Sequence, residues 1–116
     1  MDWYMPCAYD HVQKTAFHRI ARNRLAALAD ALGWRKDSFD LRSNAGGPAV
    51  SGEITLHHEQ VYVQVSQPAT GWDTGILIRR CKGREDYHGG PNHFAPLRML
   101  DDLEALSVHV RELLPA

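Results

Sequence analysis

Two alternating runs set four polar residues apart constrain this chain most. Ile54 and Leu56 alternate with Glu53, Thr55 and His57, while Val61, Val63 and Val65 alternate with Tyr62, Gln64 and Ser66. Successive strand side chains point to opposite faces, so a period of two marks half-buried strands. The runs are expected to form a hairpin around His57-His58-Glu59-Gln60. With Leu56 opposite Val61 and Ile54 opposite Val63, every apolar residue falls on one face, which makes this the expected register. A sheet with one apolar face needs a second layer to cover it.

Helices at the two ends can supply that layer. Phe17, Ile20, Ala21, Leu25, Leu28 and Leu32 line one stripe of a helix that Asp10 would cap, with Gln13 as its capping-box partner. Gly33 offers a left-handed stop and Trp34 a hydrophobic closure. Near the other end, Leu103, Leu106, Val110 and Leu113 form a second stripe. Its helix starts at Asp101 or Asp102, and Asp101 with Glu104 fits a capping box. Between the helices, Phe39 and Leu41 alternate with Asp40 and Arg42, and Ile76-Leu77-Ile78 opens a further strand with both faces apolar. Asn44-Ala-Gly-Gly-Pro48 and Gln67-Pro-Ala-Thr-Gly71 read as connections. The expected fold is therefore α+β, a single domain over residues 1–116. It has an antiparallel four-stranded sheet with the N- and C-terminal helices packed on one face, in the order α-β-β-β-β-α. Arg24 falls inside the apolar arc of the first helix. Its head should reach water, or pair with Glu53, Asp73 or Asp86.

At 116 residues with 44% hydrophobic and 23% charged side chains, the chain can bury one core and is not a disordered sequence. No apolar run approaches the roughly 18–20 residues of a membrane span. The first residues, Met-Asp-Trp-Tyr-Met-Pro, lack the basic start and apolar stretch of a secretory signal. Cys7 and Cys81 are therefore expected as reduced thiols in a cytoplasm of the bacterial type. A net charge of −1 gives no global attraction to nucleic acid. The distribution is uneven, however: residues 11–36 carry six cations against Asp30, and residues 101–116 carry four carboxylates against Arg111.

Function is expected to concentrate in residues 79–94, where four cations, two carboxylates, two histidines, a tyrosine and three glycines follow a core strand. So polar a stretch is longer than a tight turn requires. Arg79, Arg80, Lys82 and Arg84 can contact anions. Tyr87 and His93 can stack or hydrogen-bond, Asp86, His88 and Asn92 add polar contacts, and Gly83, Gly89 and Gly90 permit close backbone approach. The open sheet face would add Tyr62, Gln64 and Leu77, with Trp72 near its edge, as a partner or homodimer surface.

The resulting expectation is a small non-catalytic binding or accessory protein that contacts a protein, a second copy of itself or an anionic partner, and no membrane. One alternative is nucleic-acid binding through the same loop and the basic first helix. Another is a small-molecule or metal-dependent enzyme built on Asp86, His88 and His93. No Walker pattern, dinucleotide fingerprint, CxxC pair or HExxH helix occurs, so no cofactor, metal ligand or catalytic residue is assigned.

Overall fold

The structure, a computed structural model, describes residues 3–4, 11–45, 51–67 and 73–114. The expected Asp10 cap, Cys7 and Trp72 lie outside the described residues. The first helix, α1 (His11–Ala31), buries Phe17, Ala21, Leu25, Leu28 and Ala29. Gly33 ends it at φ +73, a backbone angle that glycine adopts without cost. The Gly33 amide donates to the Asp30 carbonyl and the Trp34 amide to the Ala29 carbonyl, both at 3.0 Å, which caps the last turn. Trp34 then leaves its own helix and stacks on His58 at 4.0 Å between ring centroids.

Five strands follow, where the alternation predicts four. They are β1 (Phe39–Asn44), β2 (Glu53–His58), β3 (Val61–Val65), β4 (Ile76–Arg80) and β5 (His93–Ala95), antiparallel and in sequence order across the sheet. The added strand is the tail of the expected loop, with His93 opposite Ile78 and Ala95 opposite Ile76. The three residues of β5, set between Pro91 and Pro96, are too few to display a period.

The hairpin register also differs from expectation. Leu56 faces Val63 and Ile54 faces Val65, two positions tighter than the predicted pairing. The tighter turn adds a rung, His57 opposite Tyr62. A shift of two leaves each side chain on its original face, so the apolar pattern alone does not distinguish the two registers.

The second helix, α2 (Leu103–Leu113), is capped by Asp102, whose Oδ1 accepts from the Ala105 amide at 3.2 Å. Asp101 belongs to a preceding 3-10 turn and does other work. Its carboxylate accepts from the Trp3 indole at 2.7 Å and lies 3.5 Å from Arg24 Nε. Arg24 therefore pairs with Asp101 rather than with Glu53, Asp73 or Asp86, and its side chain is only half-buried.

Both helices cover the same sheet face, α1 over β1 and β2, and α2 over β4. Ile54, Leu56, Val63, Val65, Ile76 and Ile78 meet Phe17, Leu25, Leu28, Leu106 and Val110 in one core. Trp3 joins it edge-on to Phe17 at 6.0 Å, although nothing periodic surrounds it in the sequence. Among the described residues no helix is long and apolar enough to cross a membrane.

Candidate functional site

Register fixes the side chains of the opposite, helix-free face. One row runs Asp40, His57, Tyr62 and Arg79, and the next runs Arg42, Thr55, Gln64, Leu77 and Phe94. The connection from β4 to β5, residues 81–92, folds back over the first of these rows.

Asp86 organises this loop. Its two carboxylate oxygens accept three backbone N–H groups, from Lys82 at 2.9 Å, His88 at 3.1 Å and Gly89 at 3.0 Å. These bonds favour the ionised form and hold its pKa at about 2. Gly89 adopts φ +56, and the next amide, Gly90, donates to the Arg80 carbonyl at 2.9 Å. At the start of the loop, the Cys81 amide donates to the Gln60 carbonyl at 2.9 Å.

The folded loop is then pinned across the sheet as far as β1. Arg84 forms a forked pair with Asp40, at 2.6 and 3.3 Å, and donates to the Asp37 carbonyl at 2.7 Å. The hydrogen bonds from Arg84 hold the Asp40 carboxyl below its usual range. His57 Nε2 donates to the Gly83 carbonyl at 3.0 Å, and its imidazole meets Tyr87 edge-on at 5.3 Å. Burial lowers the His57 pKa, so the ring stays neutral beneath the loop. Tyr87 is held at both ends: its hydroxyl accepts from Arg42 at 2.9 Å and its carbonyl from Arg79 at 2.6 Å. Arg79 in turn lies 4.3 Å above the Tyr62 ring.

The predicted site residues consequently divide. Arg79 and Arg84 have their guanidinium groups engaged within the protein rather than presented to a ligand. Asp86 has both oxygens occupied. Tyr62 is buried, 7% exposed, so it is not an open-face anchor. Gln64 is partly buried and accepts from the Tyr62 hydroxyl at 2.9 Å. Arg80, Lys82, His88 and Asn92 face water. His93 pairs with Ile78 and so lies on the helix-covered face, where it lines a cleft of about 220 Å³ with His109 and Glu112. Asp86, His88 and His93 therefore do not converge on one point. Among the described residues no three His, Cys, Asp or Glu side chains gather as a metal site.

His57 and His58 part company as strand neighbours must, His57 toward the loop and His58 toward Trp34. Cys81 donates its thiol hydrogen to the His58 carbonyl at 3.2 Å, and burial raises its pKa, which leaves it a poor nucleophile at neutral pH.

What stays open to solvent is a shallow tray. Thr55, Gln64 and Leu77 form its partly buried floor, while Phe94 (49% exposed) and Tyr87 (51% exposed) rise from opposite sides of the sheet. A broad cleft of about 950 Å³ flanks the loop, bordered by Arg80, Cys81, Lys82, Glu85, His88 and Pro91. The residues that sequence reasoning missed are the anchors Asp37, Asp40, Arg42 and His57. Alternation places Asp40, Arg42 and His57 on one face, but nothing local links them to a loop more than twenty positions away. Searched against family models, characterised proteins and solved structures, the chain matches none.

Proposed function

We propose that this protein is a soluble, non-catalytic binding protein of a bacterial-type cytoplasm that takes a protein partner on the uncovered tray of its open sheet face. The observation that carries this reading is the presentation of Tyr87. Both its polar ends are held by arginines, yet half of its surface remains exposed. An aromatic side chain fixed before binding loses little entropy when a partner covers it, and such residues recur as interface anchors. Phe94 and Leu77 extend the apolar contact, and the exposed cations Arg80 and Lys82 where β4 ends can steer an acidic partner toward the molecule.

The state of the reactive groups also favours binding over catalysis. Asp40 and Asp86 are held ionised by hydrogen bonds, His57 is held neutral under the loop, and the Cys81 thiol is kept protonated.

The test compares wild-type protein with the Tyr87→Ala, Phe94→Ala double variant as baits in lysate of the source cell. A protein retained by the first and lost by the second, with reconstituted affinity at least about tenfold weaker for the variant, supports the reading. Identical retained sets would remove it. Oligonucleotide binding that weakens steeply with salt and with Arg80→Ala would instead favour the nucleic-acid alternative.

A further inference from the structure

A second surface lies away from the tray, along the outer edge of β1. No described strand pairs with that edge, and β1 spans six residues against three for β5 at the other side of the sheet. An unpaired edge is a template for another strand, and proteins commonly guard it with charge. The charges here follow a particular order.

We propose that a second copy of this chain adds along β1 about a two-fold axis, joining the two sheets edge to edge. In an antiparallel pairing centred on Leu41, Asp40 of each copy faces Arg42 of the other, and Phe39 faces Ser43. Like charges at these positions would repel across the axis, whereas Asp40, which also holds Arg84, and Arg42, which also holds Tyr87, meet with opposite sign.

The neighbouring helix repeats the pattern independently. Arg22, Ala26 and Asp30 recur at four-residue steps, all exposed, and with Phe39, Asp40 and Leu41 they line a groove of about 690 Å³ between α1 and β1. Centred on Ala26, an antiparallel crossing sets Arg22 of each copy against Asp30 of the other. The small Ala26 side chain lets the helices approach.

One axis can serve both elements. Arg22 Nη1 donates to Ser43 Oγ at 3.3 Å, while Trp34 packs on Phe39 with ring centroids 6.5 Å apart, so α1 runs antiparallel above β1. Ala26 and Leu41 each fall in the middle stretch between those two contacts. Because α1 covers β1 and β2, strands about 4.8 Å apart would bring the two copies of α1 about 10 Å from one another. Helices pack at about 8–10 Å. The apolar part of the groove, formed by Ala26, Ala27, Trp34, Phe39 and Leu41, would be covered by the same residues of the second copy.

Sedimentation equilibrium of the intact protein tests this. The wild type should approach twice its 13.1 kDa chain mass as concentration rises. Arg22→Glu alone and Asp30→Lys alone each set like charges against one another, and should weaken the dimer by about tenfold or more. An equimolar mixture of the two variants makes both pairs attractive again and should restore dimers that contain one of each. Both substitutions fall at exposed helix positions, and helical circular dichroism confirms that the variants are folded. A wild type that stays at chain mass up to millimolar concentration would overturn the proposal. So would a dimer indifferent to both charge reversals, or one lost in Phe94→Ala but kept in both reversals. Phe94→Ala, on β5, leaves this edge intact, and the charge reversals on α1 leave the tray intact, so failure of the tray reading and failure of the edge reading are separable.

Discussion

Arg84 and Asp40 stand 44 positions apart in the chain, yet the guanidinium of one lies in a fork on the carboxylate of the other, at 2.6 and 3.3 Å. This pair spans from the loop to the far edge strand, so it ties down the end of the loop most remote from β4. Both side chains retain about a third of their exposure, so the pair adds little to global stability. Its effect is local order. Arg84→Ala should speed amide exchange at residues 82–90 while the exchange of β2 and β3 stays unchanged. Equal protection of the loop in wild type and variant would show that Tyr87 and His57 hold it without Arg84.

The Asp86 knot predicts a pH dependence with a definite sign. Its folded pKa, about 2, lies below the ordinary value of 3.8, so the folded loop favours the ionised form. The stabilisation is complete above the ordinary value and is lost as pH falls toward 2. Following the Lys82, His88 and Gly89 amide resonances by NMR should reveal a common transition near pH 2. Asp86→Asn removes that transition and disorders the loop at neutral pH. A transition near pH 4 would mean that the amides do not hold the carboxylate.

Two glycines in the same loop should respond unequally to substitution. A Cβ added to Gly89 would come within 2.6 Å of the Arg80 carbonyl oxygen and 2.9 Å of Arg79 Cδ, at a φ of +56. Gly89→Ala should therefore destabilise the loop by about 1–3 kcal/mol. Gly83 has nothing within 4 Å of the corresponding position, so Gly83→Ala should change stability little. Thermal denaturation with loop amide exchange checks both variants.

Asp101 and Asp102 are adjacent but do unlike work. Asp102→Ala removes the N-cap of α2 and should cost about 1 kcal/mol, read as lost helical circular dichroism on mild heating. Asp101→Ala leaves that cap in place but takes the acceptor from the indole of Trp3. It should cost about 1–2 kcal/mol and shift tryptophan fluorescence, a signal that Asp102→Ala leaves unchanged.

Residues whose neighbours repeat a period were legible in the sequence. The α1 stripe ending at Gly33, the alternating faces of β2 and β3, and the α2 stripe all stand where spacing puts them. The hairpin register was legible only modulo two, because polar residues fill both candidate turns equally well. Trp3 was illegible as core, and β5 as strand, because each depends on distant partners rather than on a local pattern. Composition marks the loop as unusual, and composition alone predicts that its cations face outward. Whether an arginine faces a ligand or its own sheet depends on what lies across from it. For Arg84 that residue is Asp40, and for Arg79 it is Tyr62.

Every strand of the sheet lies beside the one synthesised just before it. The ladder can therefore grow in the order of translation, one hairpin at a time, without a long closure. α1 has no such convenience, because it emerges before β1 and β2, the strands on which it rests. During synthesis its greasy stripe stays bare until those strands arrive. That makes it the part of the nascent chain most exposed to chaperones, and to mispairing with a neighbour.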